Sequence, residues 1–197
     1  MRRPKALEKL RETLRPGRVY RREDFLPLSN SVDRHLRALV DQGALRKLRM
    51  GMYYAPRRFE FGEAPAEEQA LVRAFLRSDR FVVTSPSVYN QLNLGTTQLY
   101  NRRVVYNQKR HGTFDLGGRS YEFQRRMNVP KTLTPEFLLV DLVNELDQLA
   151  EDHDLVLSRV RERSAQMDHR RLSRAATLYG NYSTQKKFKE FLATADG

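Results

Sequence analysis

The stretch SVDRHLRALVDQGALRKLRMGMYY, residues 31–54, decides the reading of this chain. Val32, Leu36, Leu39 and Val40 recur at i, i+4, i+7 and i+8, so a helix from about Ser31 to Gln42 has one apolar face. Ser29, Asn30 and Ser31 offer N-caps, and Asn30 with Asp33 three residues on has the spacing of a capping box. Gly43 stands where a helix stops in the left-handed conformation. Two extended pieces follow, Ala44–Arg49 and Met52–Ala55, around Met50-Gly51. A helix followed directly by a short hairpin is the layout of a recognition helix and its wing.

The flanking sequence extends this into a module. Leu7, Leu10 and Leu14 place a first helix over residues 4–15, stopped by Pro16-Gly17. Val19-Tyr20 reads as extended, Arg22 to Leu26 as a helical turn ending near Pro27, and Pro56-Arg57-Arg58 as the close of the module. The expected division is a winged helix-turn-helix over residues 1–60 and a body over residues 61–197, with Phe61-Gly62-Glu63-Ala64-Pro65 as the junction. The body reads as helix 66–78, strand 80–84, a helix from Ser85-Pro86 to Leu92, strand 102–106, and a hairpin around Gly117-Gly118. Helices follow at 136–146, 154–163, 168–179 and 183–192. The predicted class is α+β: a winged helix-turn-helix, a small mixed α/β body and C-terminal helices.

Charge placement gives the module a partner. The formal net charge is +12, and residues 1–58 carry 16 basic against 6 acidic side chains, whereas residues 59–197 carry 20 against 18. Clustering of that kind is the electrostatic footprint of a nucleic-acid-binding head. A winged helix would place helix 31–42 in the major groove of double-stranded DNA and its wing against the backbone. The candidate DNA-contacting residues are Ser29, Asn30, Ser31, Arg34, His35 and Arg37 on the helix, and Arg46, Lys47, Arg49, Arg57 and Arg58 on or beside the wing. Arg2 and Arg3 could add contacts from the N-terminal tail. Arg34 could fork onto guanine O6 and N7. Arg46, Lys47 and Arg49 suit phosphates, and Arg57 and Arg58 could add to that; such contacts position a protein without specifying sequence.

Residues 33–54 resemble the N-terminal domain of the AbiEi-type antitoxins of bacterial type IV toxin–antitoxin systems. The helix end Leu39-Val40-Asp41-Gln42-Gly43 and the run Leu45 to Tyr54 carry the likeness, with Met50 inserted before the wing glycine. Three body segments are also similar: Ser85–Leu94, Phe114–Phe123 and Thr134–Asp141. The resemblance implies a protein that binds inverted repeats in its own promoter and represses it. Its body would counter a nucleotidyltransferase-type toxin, without a stable complex being required. Solitary relatives act as plain transcriptional regulators, which is the first alternative; an RNA-binding or RNA-processing protein is the second.

No catalytic constellation is expected. The four histidines, His35, His111, His153 and His169, are scattered, and His153 reads as part of a solvated turn capped by Asp154. Gly112-Thr113-Phe114-Asp115 lacks the Gly-Ser turn and the second acid of a nucleotidyltransferase. Asp141 and Glu145 share a helix face, an arrangement that is usually solvated or paired with arginine. No metal or cofactor is expected, and no P-loop is present. Arg102-Arg103, Lys109-Arg110, Arg125-Arg126 and Lys131 alternate with Tyr100, Tyr106, Tyr121 and Phe123. That pattern fits a single-strand binding face, or a sheet with aromatics inward and arginines outward. Arg159, Arg161, Arg163, Arg170, Arg171 and Arg174 read as a solvated helical surface or a second DNA contact. No stretch approaches the ~18 apolar residues of a membrane span. Met1-Arg2-Arg3 leads into charged residues and not an apolar signal, so a cytoplasmic, nucleoid-associated protein is expected.

Overall fold

Leu10, Phe25, Leu36, Leu39 and Leu45 are all buried against one another in the computed structural model, which describes residues 6–94 and 102–193. The architecture is α+β, with seven α-helices and three small sheets among those residues. The chain divides into two compact units: Met1–Asp79 with Gly112–Glu122, and Arg80–His111 with Phe123–Gly197. This differs from a single division at residue 60, because the hairpin after Gly112 groups with the N-terminal residues. The predicted contributions of Arg2, Arg3 and Tyr100 lie outside the described residues.

The first unit opens with α1 (Ala6–Thr13), strand β1 (Val19–Arg21) and a 3-10 helix, Arg22–Leu28, that contains Pro27. Helix α2 (Val32–Asp41) packs Val32, Leu36 and Leu39 inward, each worth roughly 1.5–3 kcal/mol of burial. Gly43 takes φ +69°, which ends α2 and turns the chain into β2 (Arg46–Arg49). Strand β3 (Met52–Tyr54) is central, antiparallel to both β1 and β2. The β2–β3 register shifts between Lys47 and Arg49, so Leu48 is the extra residue of a bulge ahead of the two-residue turn Met50-Gly51.

The predicted junction is instead a second hairpin, β4 (Arg57–Phe59) with β5 (Gly62–Ala64). It is held by Tyr54 Oη, which donates to the Ala64 carbonyl at 2.8 Å. Phe59 and Phe61 at its turn are exposed. Helix α3 (Glu68–Leu76) and the hairpin strand β8 (Gly112–Leu116) complete the unit with the first half of β9 (Arg119–Arg125).

The second unit pairs β6 (Phe81–Thr84) antiparallel with β7 (Val104–Asn107). The residues after Ser85-Pro86 form a 3-10 helix, Pro86–Leu92. Helix α4 (Pro135–Asn144) is capped by Thr134, whose Oγ1 accepts from Phe137 N. Its side chains from Phe137 to Val143 are all buried, with α5 (His153–Ala165), α6 (His169–Tyr179) and α7 (Tyr182–Ala193) in the same core. Asp152, not Asp154, caps α5. No helix among the described residues is long and apolar enough to cross a membrane.

Candidate nucleic-acid interface

Helix α2 buries one face, and the other carries Arg34 and Arg37, both exposed and without a polar partner among the described residues. A notch of about 370 Å³ opens at the start of this helix. Ser29, Asn30, Ser31, Asp33 and Arg34 line it together with Arg22. The structure therefore brings together four of the predicted contact residues at the helix N-terminus, where backbone N–H groups and the dipole favour anions.

The local chemistry corrects the capping expectation. Ser31 is the N-cap residue, but its side chain makes no capping hydrogen bond, and Asn30 and Asp33 form no box. Asp33 is engaged by Arg22, whose Nε and Nη2 donate to its two oxygens at 2.6 and 2.7 Å. That fork lowers the Asp33 pKa and raises that of Arg22. Ser29 is buried rather than presented: its Oγ accepts from Ser31 N at 3.0 Å and lies 2.7 Å from His35 Nδ1. The assignment that satisfies all three groups has Ser29 donating to Nδ1. The His35 proton then sits on Nε2, which remains a donor.

The residues expected on or beside a wing differ in their surroundings. Lys47 is exposed and has no polar partner among the described residues. Arg46 is held by Glu63 in a fork with both contacts at 2.8 Å. Arg58 reaches the same carboxylate at 3.4 Å and donates to the Gly43 carbonyl at 2.8 Å. Arg49 is turned inward, its guanidinium 4.9 Å from the Phe75 ring centre and 5.4 Å from that of Phe114. Its Nη1 is buried with no hydrogen-bond partner. Arg49 is thus a packing residue of the first unit, which corrects its reading as a phosphate contact. The sequence held no sign of this, because the aromatic partners come from α3 and β8. Arg57 lies against Gly17 in a different cleft.

In the second unit, Asp141 is 1% exposed and accepts from Tyr89 Oη at 2.9 Å, Tyr106 Oη at 2.8 Å and Arg126 Nη1 at 2.6 Å. Arg126 also donates to Glu145 at 2.7 Å and stacks 3.6 Å over the Tyr106 ring. The helix-face pair Asp141 and Glu145 is therefore joined through arginine, the second of the two expected arrangements, and Asp141 is buried rather than solvated. Arg126 points inward, unlike the outward arginines of the expected sheet, while Tyr106, Tyr121 and Phe123 are buried as expected. Burial raises the Tyr89 and Tyr106 pKa values, with the adjacent Asp141 charge adding to it. Burial opposes the charge on Arg126, but Asp141, Tyr106 and Glu145 outweigh it and its pKa is raised.

A cleft of about 640 Å³ borders this network. Its amides are committed to the fold: Asn128 donates to the Leu178 carbonyl, Asn144 to that of Tyr179 and Gln185 to that of Gly180. The network joins α4, β7 and the Pro86–Leu92 helix inside the second unit. No group of three or more His, Asp or Glu side chains among the described residues is placed to hold a metal ion.

No protein-family model and no curated protein matches this chain. Among solved structures, the RV2827C protein from Mycobacterium tuberculosis is similar at a TM-score of 0.56 with 17% sequence identity. The match covers 96% of this chain and 75% of that one, and the likeness is one of fold.

Proposed function

We propose that the first unit is a winged helix-turn-helix head that binds double-stranded DNA, and that the protein is a transcriptional autorepressor. One observation carries the reading: the exposed face of α2 presents Arg34 and Arg37 unpaired, above a polar notch at the helix N-terminus. In a major groove, Arg34 would read a base edge and Arg37 a phosphate. Lys47 on β2 would clamp the backbone beside them. Asn30, Ser31 and His35 Nε2 would supply the neutral contacts. The concentration of net charge in residues 1–58 supports the same reading.

The sequence likeness to AbiEi-type antitoxins extends the proposal. The operator would be inverted repeats in the protein's own promoter, and the second unit would oppose a nucleotidyltransferase-type toxin without a stable complex. The protein would act in the cytoplasm, on the nucleoid.

The test is a mobility shift on the DNA upstream of its own gene, with random duplex as competitor, at two salt concentrations. The expected result is a shift that survives excess competitor at both. Binding no better than to random duplex, and lost at moderate salt, would overturn the autorepressor. Co-expression with a neighbouring nucleotidyltransferase gene tests the second clause: growth rescue is expected, and unrelieved toxicity would refute it.

A further inference from the structure

A second basic surface in the first unit is independent of the α2 face. A cleft of about 520 Å³ is lined by Arg15, Arg18, Arg57 and Arg73, with Arg21 and Arg77 at its wall and Asp24 as its acid. Asp24 is occupied, since it accepts from the Arg21 backbone N at 2.9 Å. Arg21 is occupied too, its Nη1 donating to the Ala74 carbonyl at 2.6 Å. Arg73 pairs with Asp79, and Arg77 with Glu23. Arg15, Arg18 and Arg57 have no carboxylate partner among the described residues, and all three are exposed.

The cleft is shaped by the backbone as well as lined by charge. Gly17 has φ +88°, and a Cβ there would lie 2.4 Å from Arg57 Nε. The absent side chain is what lets the Arg57 guanidinium settle across the turn between Arg15 and Arg18. Ala70 and Ala74 of α3 keep the opposite wall low. Three guanidinia without a carboxylate around one concavity, Arg18 lying 5.3 Å over the Tyr20 ring, repel each other, and an anion with several oxygens relieves that repulsion through forked hydrogen bonds.

We infer that this cleft is a second phosphate-binding site that takes backbone phosphates of nucleic acid outside the segment read by α2. Consecutive side chains place it apart from the helix face: Arg21 reaches α3, whereas Arg22 reaches Asp33 of α2. The cleft and the α2 notch share no lining residue. The cleft as an anion site stands alone; its assignment to nucleic acid rests on the DNA-binding reading above.

The experiment is fluorescence anisotropy of the full chain with labelled random and operator duplexes across a salt series. The Arg15→Ala/Arg18→Ala variant is compared with Arg34→Ala. Losing two phosphate contacts lowers the salt slope by about 1.8 and weakens binding about 60-fold at 0.1 M salt. The operator-over-random ratio is expected to stay unchanged in that variant and to fall in Arg34→Ala. An unchanged slope in the double variant, with native circular dichroism, overturns the inference. If the wild type shows no operator preference yet the double variant still loses slope, the autorepressor fails and the cleft stands. Inorganic phosphate at constant ionic strength is the second probe. Saturable chemical shifts of the Arg15 and Arg18 side chains without any slope effect would assign the cleft to free phosphate and overturn the nucleic-acid clause.

Discussion

Replacing Asp141 by Asn removes one charge from the floor of the second unit while keeping its volume. The carboxylate is 1% exposed and takes three donors, from Tyr89, Tyr106 and Arg126. The Asn carbonyl can keep accepting from the two phenols, whose bonds both end on Oδ2. Its NH2 then faces Arg126, donor against donor, and the guanidinium keeps only Glu145 and Gln124. Breaking a buried pair by removing one partner costs about 3–5 kcal/mol. Arg126 retains a carboxylate and is 18% exposed, which places the cost near the lower end, about 3 kcal/mol. With a urea m-value of about 2.5 kcal/mol/M, the midpoint falls by about 1.2 M. The chain has no tryptophan, so tyrosine fluorescence is the probe. The outer partner is the control: Glu145→Gln should cost about 1 kcal/mol. A midpoint drop below about 0.4 M for Asp141→Asn would refute the structural account of the network and reopen Asp141 as a group kept for chemistry.

Four further outcomes are expected. Arg34→Ala should cost about 1–3 kcal/mol on operator DNA and relax the preference at one base pair. Arg49→Ala should leave the salt slope unchanged and lower stability by about 0.5–2 kcal/mol through lost stacking on Phe75 and Phe114, read by the same anisotropy and urea assays. Glu63→Gln should release Arg46 and Arg58, raising affinity for random duplex and steepening the salt slope; a flat response would show that these arginines lie away from the DNA. Tyr89 and Tyr106 titrate above 10 in the folded protein, so their stabilising effect is complete below pH 10 and is lost as pH rises toward the folded values. A native absorbance titration at 295 nm should hold at least two of the nine tyrosines, Tyr89 and Tyr106, back until unfolding; all nine ionising near pH 10 would contradict their burial.

Local signals carried most of the fold. The apolar spacing of α2, the stop at Gly43, the Gly117-Gly118 hairpin and the Thr134-Pro135 helix start are each decided within a few residues, and each element lies where its spacing put it. The β4–β5 hairpin was not legible, because Phe59 and Phe61 look like core residues in sequence and are exposed in the structure. The site was legible as a face but not in its members. Arg34, Arg37 and Lys47 have open guanidinium or ammonium groups because no long-range partner reaches them. Arg46, Arg49 and Arg58 have lost theirs to Glu63, Phe75 and Phe114, which lie between 5 and 65 residues away. Periodicity holds no information about such pairings.

The acids of the first unit decide what its positive charge can do. Asp33 holds Arg22, Glu63 holds Arg46 and Arg58, and Glu23 holds Arg21 and Arg77. All five pairs are at least partly solvent-exposed, where an ion pair adds about 0–1 kcal/mol. Their effect on stability is therefore small, and their effect on recognition is larger. Each pair fixes a long side chain and removes a free cation from the surface. Arg34, Arg37 and Lys47 on one face and Arg15, Arg18 and Arg57 on another keep no carboxylate among the described residues, nor do Lys9 and Arg11 on α1. A head with sixteen basic residues in its first 58 would otherwise bind any polyanion from every side. On the DNA-binding reading proposed above, the carboxylates would thin the open cations and make the attraction depend on how the duplex is presented, which would give Arg34 a defined approach to the base edges.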